Sequence, residues 1–328
     1  MQPLVDPFER RIRYLRVSVT PYCNFRCSYC QPEGPVLDEH HREELSPLEL
    51  EKILSLFARL GVEKVRLTGG EPTLRKDLEE MVRRITSIPG IREVTLSTHG
   101  LYLDERSASL AEAGLSRINV SLDTLRPERF ARISGRDELP RVLRGITAAQ
   151  KAGLTPIKLN VVPLRGFNED ELGDFLEYSA RENLHLRFIA LMQLGVAKEL
   201  YRKSHLSLEE LQERLSSFGD WEEQRRGESD GPARLLRRRS DGLRVGLIDP
   251  LSKNFCQDCN RLRLTHRGEV RNCLFGEGIV ALRPLLQRPD WESALEELLR
   301  KTLLQKPEKH RLEHCDDGGL YSLAKVGG

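Results

Sequence analysis

The chain has 328 residues, 39% of them hydrophobic, and its 52 basic residues nearly balance 50 acidic ones for a formal net charge of +2. This length can bury one large core and a smaller one, and the balanced charge excludes a bulk attraction to nucleic acid or to a membrane surface. Residues 1–11 contain no apolar core of a signal peptide, and no stretch approaches the roughly 18 uninterrupted apolar residues of a membrane span. We therefore expect a cytoplasmic protein with neither a nucleic-acid nor a membrane partner.

Short β-branched runs alternate with helical patterns from about residue 11 to residue 191. The predicted strands are 14–19, 64–68, 93–98, 117–122, 157–162 and 186–191. Capping residues and apolar periodicity predict helices that begin at Ser46-Pro47-Leu48-Glu49, after Asp77, over 138–151 and at Asn168. This alternation predicts an α/β fold with a parallel sheet. About six βα units are too few for a closed TIM barrel, which needs eight, so we expect a partial (open) TIM barrel.

Three cysteines, Cys23, Cys27 and Cys30, follow the first predicted strand with the spacing C-x3-C-x2-C. Three thiolates are one too few for a closed zinc site or for the usual ligand set of an iron–sulfur cube. A cube held by three thiolates keeps an open coordination position on one iron, where a small molecule can bind and react. The alternative is a zinc site completed by a histidine such as His40 or His41.

Polar and small residues follow several predicted strands, at the end where parallel sheets bind ligands. These groups are the three cysteines, 69–71, 97–99, 121–123 and Met192. Paired glycines at Gly69-Gly70 allow a backbone to approach a ligand closely, although an ordinary βα turn would also explain them. Lys158 lies early in its strand and is expected to face the interior.

The pattern changes after Gly195, which predicts two domains, 1–195 and 196–328, the second a smaller α+β extension. We expect helices over 208–215 and 291–304, a hairpin of 235–239 and 243–248 around Ser240-Asp241-Gly242, and a tail over 306–328.

A second cysteine group, Cys256, Cys259 and Cys273, has the spacing C-x2-C-x13-C. The alternatives are a zinc knuckle completed by His266 and a single site that pools both cysteine groups. Seven cysteines with six in two groups favour metal or cluster ligation over disulfides, and the seventh, Cys315, is expected to be a plain thiol. Between the ligands, Arg261 and Arg263 share one face of a strand. Two such arginines usually form a solvated face, but beside a metal centre they suit an anionic substrate.

These motifs resemble a known family. C-x3-C-x-aromatic-C, with Tyr29 as the aromatic residue, resembles the cluster loop of radical S-adenosylmethionine (SAM) enzymes. Together with T-G-G-E-P, C-x2-C-x-R-x-R and a terminal Gly-Gly, the chain resembles the GTP 3′,8-cyclase family over nearly its whole length. The resemblance implies two [4Fe–4S] clusters, with SAM at the open iron of the first and the guanine base at the second.

The resemblance also implies roles for individual residues. Cys23, Cys27 and Cys30 would hold the first cluster, and Cys256, Cys259 and Cys273 the second. SAM contacts would be Tyr29, Gly70, Ser121 and Met192; GTP contacts would be Arg16, Arg66, Ser97, Lys158, Arg261, Leu262 and Arg263. Cys23, Cys27, Cys30, Arg261, Arg263 and the tail residues Gly327 and Gly328 would serve catalysis, although fraying is the simpler interpretation of a terminal Gly-Gly.

The implied reaction is a lyase reaction that converts GTP to (8S)-3′,8-cyclo-7,8-dihydroguanosine 5′-triphosphate, the first step of molybdenum cofactor biosynthesis. It implies a reductant for the cluster, a functional link to cyclic pyranopterin monophosphate synthase and a homodimer. The chain departs from the family at Pro21-Tyr22, Gln31, His99 and Ala190, which bears on the positioning of SAM and on rate or substrate. The alternatives are a radical SAM enzyme acting on another nucleotide or a peptide, and a zinc-stabilised nucleotide-binding module without catalysis.

Overall fold

A computed structural model describes residues 2–34, 43–193, 195–224, 233–251, 254–276 and 279–310. The strands are β1 Tyr14–Ser18, β2 Lys64–Thr68, β3 Glu93–Thr98, β4 Arg117–Ser121, β5 Lys158–Val161, β6 His185–Ile189, β7 Trp221–Gln224, β8 Arg234–Arg238, β9 Arg244–Ile248, β10 Arg261–Leu264, β11 Glu269–Arg271 and β12 Ile279–Ala281. The helices are α1 Pro47–Arg59, α2 Leu78–Thr86, α3 Leu103–Glu112, α4 Pro127–Ser134, α5 Leu139–Lys151, α6 Leu172–Arg181, α7 Lys198–Ser204, α8 Leu208–Ser216, α9 Asn254–Gln257 and α10 Trp291–Leu304.

All these strands belong to one sheet with the order β12-β11-β10-β1-β2-β3-β4-β5-β6-β9-β8-β7. The eight strands from β10 to β9 are parallel, and antiparallel strands extend the sheet at both ends. Among the described strands, β12 and β7 do not pair with each other, so the sheet stays open. The predicted α/β fold with an open, partial barrel is confirmed.

The six predicted strands correspond to β1–β6 in order, with ends that differ by one or two residues. Helices α1, α8 and α10 and the β8–β9 hairpin are also confirmed. The helix predicted from Asn168 begins instead as a 3-10 turn, and the α-helix starts at Leu172. Helix α7 and strands β7, β11 and β12 were not predicted, because their polar or short runs carry little periodicity.

The C-terminal part does not form a separate sheet. Its strand β9 pairs with β6, and its strand β10 pairs with β1, both in parallel. The extension therefore lengthens the six-stranded barrel core by one parallel strand at each edge. The domain boundary at residue 195 stays a prediction.

Alternation along each strand separates the core from the concave face of the sheet. In β1, Leu15 and Val17 are buried in the hydrophobic core that the helices cover, whereas Arg16 faces the opposite side. In β10, Leu262 is buried in the same core, and Arg263 faces with Arg16. No described helix is long and apolar enough to cross a bilayer.

Candidate functional site

A cavity of about 720 Å³ lies on the concave face of the sheet. Each of the eight parallel strands contributes at least one wall residue, from Arg261 on β10 through Arg16 on β1 to Ile248 on β9. The loop with Cys23, Cys27 and Cys30 forms another part of the wall. The cavity therefore joins a thiol-rich loop to the polar face of the whole parallel sheet.

The cysteine loop is attached to the C-terminal end of helix α4. The amide of Arg26 donates to the carbonyl of Ser134 at 2.8 Å, and the amide of Ser28 donates to the carbonyl of Ile133 at 3.2 Å. At the other side of the loop, the Tyr29 hydroxyl donates to Asp123 Oδ2 at 2.6 Å. These contacts fix the loop between β4 and α4, with the thiols facing the cavity.

The chemistry of the first three thiols suits a metal cluster. None of the three forms a disulfide. Burial raises the pKa of Cys23 to about 12, helped by the charge of Glu71, and burial with Asp123 raises the pKa of Cys27 well above its usual value. Without metal the thiols of Cys23 and Cys27 stay protonated, and a cluster that requires thiolates would displace the protons.

Within the described residues, no three His, Cys, Asp or Glu side chains converge on a position for a single metal ion. A cube differs because each thiolate binds a separate iron. His40 and His41, the alternative zinc ligands, lie outside the described residues.

The glycine pair that follows β2 is required by a close backbone contact. A Cβ atom on Gly70 would collide with the carbonyl of Tyr22, and one on Gly69 would collide with that of Thr20. The amide of Gly70 donates to the Thr20 carbonyl at 2.8 Å. The glycines therefore bring the β2 turn against the start of the cysteine loop, and both also line the cavity.

Glu71 connects this turn to the end of β3. Its carboxylate is buried and accepts from Thr98 Oγ1 at 2.7 Å and from the His99 amide at 2.8 Å. The His99 ring stacks on Phe25 with centroids 3.9 Å apart, and its Nε2 lies 2.8 Å from Asn24 Oδ1. Burial lowers the pKa of His99, so the ring is neutral near pH 7. His99 therefore contacts the cysteine loop directly.

Basic side chains from neighbouring strands line the cavity at one register level. Arg16 is paired across the sheet with Arg263 on one side and Arg66 on the other. Burial lowers the pKa of Arg66 to about 9, and burial with the neighbouring Arg187 lowers the pKa of Lys158 to about 6. An anion in the cavity would favour the charged form of each group. The arrangement therefore suits a substrate with several negative charges.

Sequence reasoning missed further polar wall residues: Tyr14, Lys64, Arg117, Asn160 and Arg187. Glu93 holds two of them, with Lys64 Nζ and Arg117 Nε each 2.5 Å from a carboxylate oxygen. All five lie on predicted strands, at positions that alternate with core residues. The inward face of every predicted strand was the signal that could have identified them.

The second cysteine group lies beside the cavity rather than on its wall. Asp258, Asn260 and Arg261 from the same segment do line the cavity. The Cys256 thiol interacts electrostatically with those of Cys259 and Cys273. Burial opposes ionisation of Cys259, but the charges of Lys306 and Arg261 outweigh it and lower the pKa to about 7. The group therefore provides a second thiol cluster with a positively charged environment.

Most of the predicted site residues line this one cavity. They are Arg16, Cys23, Cys27, Tyr29, Cys30, Arg66, Gly70, Ser97, Ser121, Lys158, Met192, Arg261 and Arg263. Leu262 and the second cysteine group do not line it. Alternation places the Leu262 side chain in the core, so that any GTP contact would have to use its backbone. Gly327 and Gly328 lie outside the described residues. The predicted tail is wrong at its start, because Lys306 and His310 are buried.

Comparisons with known proteins agree with this architecture. The family profile "Radical SAM superfamily" matches residues 17–179, and "Molybdenum Cofactor Synthesis C" matches residues 184–312. A GTP 3′,8-cyclase of Stenotrophomonas maltophilia (strain R551-3) is 43% identical over 328 residues, covering 100% of both chains. That of Synechococcus elongatus is 42% identical over 325 residues, covering 99% of both.

Solved structures share the fold at low sequence identity. Streptococcus suis SuiB bound to S-adenosylmethionine matches with a TM-score of 0.62 and 13% identity, covering 90% of this chain and 68% of SuiB. SuiB bound to its precursor peptide SuiA matches with a TM-score of 0.62 and 16% identity, covering 96% and 70%. At these identities the likeness concerns the fold alone.

Proposed function

The chain belongs to the GTP 3′,8-cyclase family of the radical SAM superfamily, and we propose that it converts GTP to (8S)-3′,8-cyclo-7,8-dihydroguanosine 5′-triphosphate. This reaction is the first step of molybdenum cofactor biosynthesis. As a radical SAM enzyme, the protein uses SAM and an iron–sulfur cluster. When bound, the reduced cluster and SAM together supply a carbon radical that can remove hydrogen from a bound substrate.

One observation carries the proposal: a single cavity contains both the cysteine loop and the basic row of the sheet. The loop supplies three thiolates for a cluster, and the row formed by Arg263, Arg16 and Arg66 supplies three guanidiniums at one register level. Arginine pairs with phosphate through two hydrogen bonds, which fixes the orientation as well as the position of the ligand. A triphosphate held on the row would extend its nucleoside toward the loop.

The protein's own contribution is placement, because the cofactor supplies the difficult chemistry. We assign the SAM contacts to Tyr29, Gly70, Ser121 and Met192, which all line the cavity. Asp123 orients Tyr29 through the 2.6 Å hydrogen bond from its hydroxyl. A radical reaction requires the reacting atoms to lie within about 3–3.5 Å, so small displacements of either ligand would slow it.

We assign the triphosphate contacts to Arg16, Arg66, Lys158, Arg261 and Arg263, with Ser97 beside them. Lys158 is paired in register with Asn119 and His185, and the charge of Arg187 acts on it. With its pKa lowered to about 6, the Lys158 amine is largely neutral at pH 7, and it would take up a proton and become an ammonium when the triphosphate binds. This coupling supports a polyanionic substrate over a neutral peptide.

We further propose a second [4Fe–4S] cluster on Cys256, Cys259 and Cys273. The guanine base would bind at its open iron, beside the wall residues Asp258 and Asn260. A cytoplasmic location, an external reductant, a homodimer and a functional link to cyclic pyranopterin monophosphate synthase follow from the family and stay predictions.

The test is an anaerobic assay with reconstituted protein, SAM, dithionite and a panel of nucleotides. We expect 5′-deoxyadenosine and a cyclised nucleotide with GTP, and about eight irons per chain for two cubes. Formation of equal amounts of 5′-deoxyadenosine without GTP would contradict the assignment of GTP as the substrate. Higher activity with another nucleotide would identify that nucleotide as the substrate instead. Protein that stays colourless and binds about two zinc ions instead would support the non-catalytic module.

A further inference from the structure

Residues 306–310, here named the clasp, pack against the second cysteine group. Lys306 is only 3% exposed and His310 only 7% exposed, although the segment follows α10 and its sequence predicts a polar tail. A buried ammonium is costly unless it is fully hydrogen-bonded. The partners of Lys306 therefore indicate what the clasp does.

Lys306 joins the two segments that carry Cys259 and Cys273. Its Nζ donates to the carbonyl of Arg261 at 3.1 Å and to the carbonyl of Asn272, and it lies 3.6 Å from Cys259 Sγ. Arg261 follows Cys259 by two residues, and Asn272 directly precedes Cys273. One ammonium thus connects both halves of the cysteine group and directs its remaining proton at a thiol.

The rest of the clasp holds Cys256. Arg10 Nη1 donates to the carbonyls of Cys256 and Glu308, both at 2.8 Å, and its Nη2 donates to that of Pro307 at 2.7 Å. The backbone amide of His310 donates to the Cys256 thiol. Every cysteine of the second group is therefore tied to the clasp, either directly or through a neighbouring carbonyl.

We propose that Lys306 is a positioning residue for the second cluster, which sets the spacing of its ligands and raises its reduction potential. The inference rests on the second [4Fe–4S] cluster of the proposed function. Reduction adds one negative charge to a cluster, and a buried ammonium beside a ligand sulfur favours that charge. Residues that hydrogen-bond to ligands commonly tune metal sites in this way.

The test isolates the second cluster in the full-length chain. The background variant Cys23→Ala/Cys27→Ala/Cys30→Ala removes the first ligand set, so that only the second cluster can give an iron signal. Lys306→Met is added to this background because methionine has a similar length and no charge. Lys301→Met is the matched control, since Lys301 lies on the exposed face of α10 and pairs only with Glu297 among the described residues.

Redox titration monitored by electron paramagnetic resonance then gives the midpoint potential of the second cluster. We expect a more negative midpoint and faster iron loss to a chelator for Lys306→Met, and no change for Lys301→Met. Lys306→Arg, which keeps the charge, is expected to stay near the background value. A purely structural lysine would alter iron retention without moving the potential.

An unchanged midpoint potential in Lys306→Met with full iron content would overturn the inference about Lys306, and the proposal of a second cluster would still stand. A background variant that binds no iron would overturn the cluster and the inference together. If circular dichroism shows that Lys306→Met does not fold, Lys306→Gln replaces it, because the amide keeps hydrogen-bond donation without charge. The same negative shift supports the proposal, and its absence overturns it.

Discussion

The two cysteine groups have the same number of thiols and opposite electrostatic environments. Burial and the carboxylates of Glu71 and Asp123 raise the pKa values in the first group. In the second group, burial raises the pKa of Cys256, but Lys306 and Arg261 lower that of Cys259. Equal ligand sets can therefore be prepared for different tasks by the residues around them.

The difference agrees with the proposed roles of the two clusters, in which the first reacts with SAM and the second binds the guanine base. A cluster among carboxylates has a lowered reduction potential, which suits a strong reductant, whereas a cluster beside cations suits the binding of an electron-rich ligand. The loop of the first group also forms the cavity wall, and the second group contacts the cavity through neighbours such as Arg261. The following predictions test this contrast, from the largest expected effect to the smallest.

Cys27→Ala is expected to abolish product formation and to remove about half of the iron, roughly four of eight atoms per chain. The reason is that the remaining two thiolates cannot hold the first cube. Iron analysis and the anaerobic assay measure both effects. Cys315→Ala is the control, and an equal loss in that variant would contradict the assignment.

In iron-free protein, alkylation should distinguish the two groups by pH. The thiolate is the reactive form, and its fraction rises as the pH passes the pKa. Cys259, with a pKa of about 7, should react at neutral pH, whereas Cys23, with a pKa of about 12, should stay protected. Mass spectrometry after iodoacetamide treatment should show labelling of Cys259 at least about 100-fold faster. Equal alkylation rates of Cys259 and Cys23 would contradict the proposed difference between the two groups.

Arg66→Gln is expected to weaken GTP binding, because it removes a charged hydrogen-bond donor from a buried cavity wall. A bond of this kind is worth about 1.5–3 kcal/mol, which corresponds to roughly 10- to 150-fold in KM. Steady-state kinetics measure the change, and SAM cleavage in the absence of GTP should stay near normal. Arg288→Gln, at an exposed site, is the control, and an equally raised KM there would argue against a specific phosphate contact.

His99→Asn replaces the imidazole with an amide and removes the ring stacked on Phe25. The loss of an aromatic pair costs about 0.5–1.5 kcal/mol. We expect a lower unfolding temperature with full iron content, and a change of a few fold in SAM affinity. Differential scanning fluorimetry and a SAM titration measure these. Loss of the first cluster would show that His99 does more than pack against the loop.

Much of the fold was predictable because its signals are local. The six strands β1–β6, the capping of α1 by Ser46 and Glu49 and the β8–β9 hairpin were read from short windows. Strands β11 and β12 could not be read in this way, because each has three residues and takes its conformation from its neighbours. Helix α7 was also missed, because its seven residues are mostly polar and show little apolar periodicity.

The features of the site also separate into those that local sequence determines and those that tertiary contacts determine. The cysteine spacing, the paired glycines and the alternation of Arg261 with Leu262 determine which chemistry is available, since each depends on residues adjacent in sequence. Tertiary structure alone decided that β10 lies beside β1, which places Arg263 next to Arg16, and that Lys306 lies 3.6 Å from Cys259. Strand order, register and burial depend on contacts between distant segments, and no local pattern encodes those contacts.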